Sequence, residues 1–513
     1  MSESSASGIV YLVGAGPGDP GLLTVRGRDL LNACDAIATD ALANPAIVAS
    51  ARLANPGVEI HDVGKRGGSN ESTSQDDINA LLVRLGSEGK RVVRLKGGDP
   101  LMFGRGSEEA QALSSAGVRF EMVPGVTSGV AAPAYAGIPV THRGVATSVT
   151  FVTGHEDPTK AGAGTDWAAL ARAGGTIVLY MGVKTLPNIA AALVAGGMSP
   201  DTPAAAVQWG TYTRQRTIVA TVSTLAEAIA RAGLGAPVIT VIGTVVSLRD
   251  EIAWFDRRPL FGRRVVVTRA SAQATGLRDA LTDMGAEVVE LPALRIEALD
   301  SAPLLAALSA LDQVDWLVFT SQNAVALAWK SLRASGRDAR ALAHCRIACV
   351  GRATSDALLA HGLAADVVPE RFVAEGVLDA MTARDDVRGT RVLYLAAVDA
   401  RDVLPKGLRA LECDVRVVPL YRSVSDGAGA NDLRDRLTEG GLDAVIFASA
   451  SAVRGYADIV GDELARSVPA VSIGPVTSAA IEEAGIFLGA ESDEASVAGL
   501  AEATRRYVLG SDR

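Results

Sequence analysis

The sequence predicts an α/β protein built of mostly parallel sheets and divided into two halves. Three observations carry this. Short Val/Ile-rich runs alternate with Ala/Leu-rich amphipathic stretches along the whole chain, several runs end in glycine-rich loops, and the second half repeats itself at a nearly constant offset. A strand buried on both faces reads as a continuous apolar run, and helices between such strands indicate parallel sheets.

In chain order the expected strands include GIVYLV (8–13), RVVRL (91–95), TIVLYM (176–181), PVITVIG (237–243), RVVVTR (264–269), WLVFT (316–320), RVLYLA (391–396) and AVIF (444–447). Stretches such as LLTVRGRDLLNA (22–33) and GLRDALTDMG (276–285) are the expected helices. A break falls at DEIAWFDRRPLFGRR (250–264), where aromatics, charge, Pro259 and Gly262 precede a fresh strand. The chain of 513 residues is too long for one ordinary core. The expected organisation is a domain over 8–250, a linker over 251–261 and a second domain over 262–510.

The repeat lies in the second domain. Pro292 and Pro419 align at an offset of 127, Ser321 and Ser449 at 128, and Gly351 and Gly474 at 123. Three segments in the same order imply two similar α/β lobes. A cleft between lobes is where small molecules bind.

Composition narrows the function classes. Hydrophobic residues make up 48% and charged residues 21%, ordinary for a globular protein, and aromatics only 4%. A net charge of −9 argues against a general nucleic-acid binder but leaves room for a local basic cleft. Cys34, Cys345, Cys349 and Cys413 match no zinc spacing and are expected as free buried thiols; with five histidines, no metal site is expected. The opening MSESSASG has no signal-peptide pattern and no apolar run of membrane-spanning length follows, so a cytoplasmic protein without membrane contact is expected.

The loop VGAGPGDPGLLT (13–24) resists a nucleotide reading. A dinucleotide fingerprint needs a third glycine where Asp19 stands, and Pro17 and Pro20 remove N–H donors that would face a pyrophosphate. A P-loop lysine is also absent from this loop. What remains is a glycine-permitted, proline-stiffened loop that lets backbone approach a ligand closely, or else a tight strand–helix connection with no ligand. The second cluster, VVRLKGGDPLMFGRGSEEA (92–110), places Gly97, Gly98, Asp99 and Pro100 after another apolar run. A ligand with an ammonium group and a flat base would suit it. MVPGVTSGVAAPAYAGIP (122–139), LYMGVKT (179–185) and QWGTYTRQR (208–216) repeat the theme.

These segments, with Asp40, VGKR (63–66), Q-x-x-I-N (75–79), VTGH (152–155) and YMG (180–182), follow the order seen in uroporphyrinogen-III C-methyltransferases. Residues 8–250 thus resemble the tetrapyrrole methylase family. The resemblance implies two α/β subdomains holding S-adenosylmethionine between them, in a homodimer formed through this half. It implies donor contacts at Pro17, Gly97, Gly98, Asp99, Met102, Thr127, Ser128, Met181 and Gly210, with Asp40 as proton acceptor and Lys65 as proton donor. The sequence departs from the family at Thr39, at Gly67–Asn70 and at Ser128–Gly129. Asp40 also suits a strand-end cap, and Lys65 and Arg66 a solvated turn. The polycarboxylate acceptor calls for cations, for which Arg26, Arg28, Lys65, Arg66, Arg105 and Arg143 are candidates.

Residues 262–510 resemble uroporphyrinogen-III synthase, a bilobal α/β enzyme that closes hydroxymethylbilane with loss of water and without a cofactor. Lobe one would combine 262–296 with 423–510, and lobe two would span 297–421. Candidate contacts are Arg269, Ser321, Asn323, Gly351, Ser449, Ser451, Gly474 and Thr477, and Tyr421 matches a tyrosine implicated in assisting the leaving hydroxyl. The serines suit helix N-caps equally, and Tyr421 suits packing. Taken together, the second half's product would be the first half's substrate. Carbons C2 and C7 of uroporphyrinogen III would be methylated to give precorrin-2, with sirohaem or cobalamin as the destination. No preceding dehydrogenase segment is expected, since the chain starts at the methylase strand. Rival readings are a nicotinamide-dependent dehydrogenase, a non-catalytic tetrapyrrole-binding second half, and a later corrinoid acceptor. If the cations line the acceptor pocket, neutralising Arg28 or Arg66 raises KM for the tetrapyrrole and leaves donor affinity unchanged; steady-state kinetics and donor titration check this.

Overall fold

A computed structural model describes residues 8–64, 73–155, 164–268, 271–291, 294–370, 374–398, 400–425 and 430–510. It divides into two compact units: residues up to Arg263 with Leu281–Glu287, and Arg264–Ala280 with Val288 onward. Lys65, Arg66 and Arg269 lie outside the described residues.

The first unit holds two sheets. One contains β1 (Ile9–Gly14), β2 (Ala36–Thr39), β3 (Glu59–Asp62), β4 (Arg91–Lys96) and β5 (Arg119–Val123), in the order β3-β2-β4-β1-β5. All its pairings are parallel. Val10, Leu12, Val92 and Val13, Val93, Leu95 feed apolar cores on opposite faces, which is why these strands read as unbroken hydrophobic runs. After β1 the chain returns through helix Val25–Ala33 to β2. After β4 it leaves through helix Gly106–Ser115 to β5 on the other side. Those helices pack in different cores, with Leu31 in one and Leu113 in the other. The strand order therefore reverses between β1 and β4, and a crevice opens at their carboxyl ends.

The second sheet contains β6 (Val149–Thr153), β7 (Thr176–Tyr180), β8 (Pro203–Gln208), β9 (Arg216–Thr221) and β10 (Val238–Ile242), in the order β6-β7-β10-β8-β9. Only β6 and β7 are parallel; β10 runs antiparallel to both neighbours, and β8 and β9 form an antiparallel pair. The expectation of mostly parallel sheets holds for the strand pairings taken together, and this sheet is the exception. An apolar run such as VITVI reports burial on both faces, not strand direction, and a short turn between β8 and β9 permits direct return.

The 251–261 segment, expected as a linker, packs on the first unit. Phe255 is buried against Tyr135 with ring centroids 4.8 Å apart, Trp254 Nε1 donates to Ala134 O at 3.1 Å, and the Arg258 guanidinium lies 4.7 Å above the Trp254 ring.

The second unit has β11 (Arg264–Val267), β12 (Glu287–Glu290), β13 (Leu294–Ala298), β14 (Trp316–Phe319), β15 (Arg346–Cys349), β16 (Arg391–Ala397), β17 (Asp414–Ser425), β18 (Ala444–Phe447), β19 (Ala470–Ser472) and β20 (Leu488–Glu491). They form sheets ordered β12-β11-β18-β19-β20 and β13-β17-β16-β14-β15. Strand β13 pairs with β17 from Leu294↔Ser425 to Ala298↔Tyr421. The crossings between lobes, expected after 296 and before 423, therefore fall inside paired strands of the second sheet. Among the described residues no helix is long and apolar enough to cross a membrane.

Beneath β4 lies a buried charge cluster. Arg94 and Lys96 sit on β4 with 3% and 4% exposure, and Glu109, on the next helix, has none. Glu109 Oε1 accepts from Lys96 Nζ at 2.8 Å and Arg94 Nε at 3.1 Å, and Gln75 Nε2 reaches it at 3.4 Å. Arg94 Nη1 also donates to Ala38 O at 3.3 Å, and Nη2 lies 3.8 Å from Asp40 Oδ2. Burial, reinforced by Arg94, holds the Lys96 ammonium below the usual lysine range. Removing one partner of such a cluster strands the others. Glu109→Ala should destabilise the first unit by about 3–5 kcal/mol in urea unfolding.

Glycine contacts at the sheet's edge give a second prediction. A Cβ on Gly125 would stand 2.3 Å from Gly98 O and 2.7 Å from Gly14 Cα, all backbone. Gly125→Ala should cost about 1–3 kcal/mol in the same measurement. Gly235→Ala, whose Cβ meets nothing within 4 Å, should be close to neutral.

Candidate functional site

The carboxyl ends of β1, β4 and β5 converge. Gly16 N–H donates to Gly98 O at 3.2 Å and Gly98 N–H returns to Gly16 O at 2.7 Å, an isolated antiparallel bridge across the crevice. Gly98 has φ +68, which glycine adopts without strain. A Cβ on Gly14 would lie 2.5 Å from Gly125 Cα, so these loops meet backbone to backbone. Pro17 stands half-buried two residues past Ala15 in the first loop.

Asp99 ties the second loop to the third: Oδ1 accepts from Leu101 N–H at 2.8 Å and Oδ2 from Gly125 N–H at 3.0 Å. Each oxygen keeps a lone pair, and the side chain remains half-buried. Asp40 Oδ1 accepts from Leu42, Ala43 and Gly97 N–H at 3.1, 3.2 and 3.4 Å. That carboxylate closes the turn after β2 and touches the glycine loop, while the next helix, Pro45–Ala54, is capped by Asn44, whose Oδ1 accepts from Ala46 N–H at 2.9 Å.

The second subdomain closes the other side. Thr127 precedes helix Ser128–Tyr135 without capping it through its own side chain. Instead Tyr180 Oη, at the end of β7, accepts from Gly129 N–H at 2.8 Å and lies 2.6 Å from Thr127 Oγ1. Burial pushes that phenol's pKa up. Met102 packs against the cluster containing Ala132, Tyr180 and Val207. Gly210 is required by contact, since a Cβ there would meet Ala132 Cβ at 2.3 Å.

Asp19, which spoils the dinucleotide fingerprint, is a strut. Its N–H donates to Thr211 Oγ1 at 2.9 Å, and Tyr135 Oη donates to its Oδ2 at 2.7 Å. Burial and that carboxylate drive the Tyr135 pKa far above the ordinary phenol.

Backbone strain concentrates here. Among the described residues, Phe103, Arg105, Met181, Trp209 and Thr211 have φ between +48 and +72; the other non-glycine residue with positive φ is Glu412. Such conformations cost about 1–3 kcal/mol each and persist where surroundings impose them. Met181 is exposed.

The cations are less convergent. Arg28 lines a groove between helices Val25–Ala33 and Pro45–Ala54, with Leu23, Asn32 and Ile47. Arg26 is paired with Glu121 at 3.2 Å and Arg105 with Glu108 at 2.6 Å. Sequence reasoning missed the Arg94–Glu109–Lys96 cluster. The available signal was two charges at alternating positions, Arg94 and Lys96, in the apolar run that follows the exposed Arg91.

In the second unit the expected residues sit at strand ends that start helices. Ser321, after β14, caps helix Gln322–Ala334 by accepting from Ala324 N–H at 3.1 Å, and Asn323 is in that helix's first turn. Gly351 follows β15 and precedes helix Arg352–Leu359. Ser321 Oγ lies 2.8 Å from Tyr421 Oη, so the structure joins these two directly. In the other sheet Ser449 caps helix Ala450–Val460, accepting from Ala452 N–H at 3.2 Å, with Ser451 Oγ 3.1 Å away. Gly474 follows β19, and Thr477 is buried in the first turn of helix Pro475–Glu483.

Two families match in sequence. Tetrapyrrole (Corrin/Porphyrin) Methylases match residues 9–226, and Uroporphyrinogen-III synthase HemD matches residues 275–502. The Porphyrin biosynthesis protein HemD of Ruminiclostridium josui is 36% identical over 93% of this chain and 94% of its own length. The Uroporphyrinogen-III C-methyltransferase of Bacillus subtilis is 42% identical over 66% of this chain and 68% of its own. An S-adenosyl-L-methionine-dependent uroporphyrinogen III methyltransferase of Methanosarcina barkeri is 51% identical over 47% of this chain and 94% of its own. With the R. josui protein aligned along nearly its full length, the chain belongs to the tetrapyrrole methylases through its first half and to the uroporphyrinogen-III synthases through its second.

Proposed function

We propose that the chain is a bifunctional enzyme. Its second unit closes hydroxymethylbilane to uroporphyrinogen III, and its first unit methylates that product at C2 and C7 to precorrin-2. The observation that carries the reading is the glycine-bridged crevice at the β1/β4 reversal, joined in one chain to a synthase half whose product is the methylase's acceptor.

The residues present fit S-adenosylmethionine. Gly98 leaves room beside the Thr127 and Ser128 backbone, and Asp99 supplies a carboxylate that accepts amides of two loops; Pro17, Gly97, Met102, Thr127, Ser128, Met181 and Gly210 are the further proposed donor contacts. When bound, that molecule supplies an electrophilic methyl group. The protein's own task is alignment, which can contribute roughly 7–11 kcal/mol. Asp40, held by amides on one oxygen, is the proposed proton acceptor at the methylated pyrrole carbon, with Lys65 as donor. A general base adds about 10²–10⁴-fold, so loop shape outweighs it. Arg28, Arg66 and Arg105 are proposed acceptor contacts, and in the second unit Arg269, Asn323, Gly351, Ser449, Ser451, Gly474 and Thr477. The protein is proposed to be cytoplasmic and to pair as a homodimer through the methylase half.

Supplying hydroxymethylbilane and S-adenosylmethionine together and identifying the tetrapyrrole tests the whole reading. The expected product is dimethylated precorrin-2. Unmethylated uroporphyrinogen III would refute the methylase assignment. Methylation seen only when uroporphyrinogen III is supplied ready-made would refute the synthase assignment.

A further inference from the structure

We propose that Ser321 is a positioning residue for the Tyr421 phenol, and that it acts as a hydrogen-bond donor to Tyr421 Oη. The inference rests on the synthase reading of the second unit and deepens it.

The first observation is the contact. Ser321 Oγ is already an acceptor, from Ala324 N–H at 3.1 Å, because it caps a helix. The cap fixes the serine side chain in one place, 2.8 Å from Tyr421 Oη. With one lone pair occupied by an amide, Ser321 still has its own hydrogen to give. Given to Tyr421 Oη, it leaves the phenol's hydrogen pointing away from Ser321.

The second observation is a bulge that aims the tyrosine. Strands β16 and β17 pair in register to Ala396↔Pro419, and the next pair is Ala397↔Tyr421, so Leu420 is the extra residue. Pro419 has no N–H for a ladder, and bulges are where strands accommodate proline. In a regular strand Leu420 and Tyr421 would face opposite sides. Here both are buried in the same apolar cluster, beside Phe319 and Ala324. The bulge turns Tyr421 onto the face where Ser321 stands.

The third observation is the repeat. Ser449 is the counterpart of Ser321 and caps its helix equally well. The offset that aligns Pro292 with Pro419 puts Leu294 where Tyr421 stands. The capping serine thus belongs to the shared frame of both lobes, while the phenol is present in one only. Capping does not need the phenol, so the Ser321–Tyr421 bond serves another purpose. A hydroxyl leaves readily only when hydrogen-bonded as it departs, and a phenol with its O–H direction set is the group to provide that bond.

The test is steady-state closure of hydroxymethylbilane by the full chain, comparing wild type, Ser321→Ala, Ser321→Gly, Ser321→Thr, Tyr421→Phe and the Ser321→Ala/Tyr421→Phe double variant. Ser321→Ala should lower kcat about tenfold with KM unchanged, the loss of one orienting hydrogen bond. Ser321→Thr should restore most of it. The double variant should be no slower than Tyr421→Phe, because the two side chains act as one unit. Ser321→Gly keeps the cap to within a few tenths of a kcal/mol and reads the same loss where Ser321→Ala folds poorly. Raised KM with kcat intact would make Ser321 a direct substrate contact and overturn the proposal. Multiplicative losses in the double variant, or a fully active Tyr421→Phe, would overturn it too. A wild-type chain that closes no bilane would instead refute the synthase reading.

Discussion

Backbone lies directly on backbone where the loops after β1, β4 and β5 meet, and the first unit's site depends on that approach. Gly14 and Gly125 lie so close to each other and to Gly98 O that a Cβ on either would push the loops apart, and the Gly16–Gly98 bridge then locks the spacing. The constraint propagates. Asp99 can tie loop to loop only at this distance, and Asp40 reaches Gly97 N–H only while β2 and β4 stay in register. Strain at Phe103, Arg105, Met181, Trp209 and Thr211 is sustained by the same rigid surroundings.

Under that floor, electrostatics does a second job. Two cations share one buried carboxylate oxygen, and Asp40 stands within reach of Arg94 on the side facing the crevice. A strand carrying two buried cations cannot slide without separating them from Glu109. The contacts that hold the sheet together therefore also hold Asp40 in place.

The second unit shows duplication with divergence. Both sheets present helix N-termini at parallel strand ends, capped by serines at matching repeat positions. Such ends offer backbone N–H donors suited to carboxylates. Onto this shared frame one lobe adds Tyr421, aimed by a bulge at Pro419.

Much of this was legible in the residues. Apolar runs located the strands, the glycine clusters located the crevice, and the constant offset revealed two lobes. Strand direction in the second sheet was not legible, because a run buried on both faces looks alike whether its neighbours are parallel or antiparallel. Nor was Glu109, whose role exists only because its helix lays it across β4, or the packing of Trp254 and Phe255 onto Tyr135. By itself the sequence determined the local terms: which segments are strands and where glycine permits close approach. The tertiary structure alone decided the pairings of distant groups, Asp19 with Tyr135, Arg94 with Asp40, Ser321 with Tyr421, since these depend on strand order and on a one-residue bulge that no local propensity encodes.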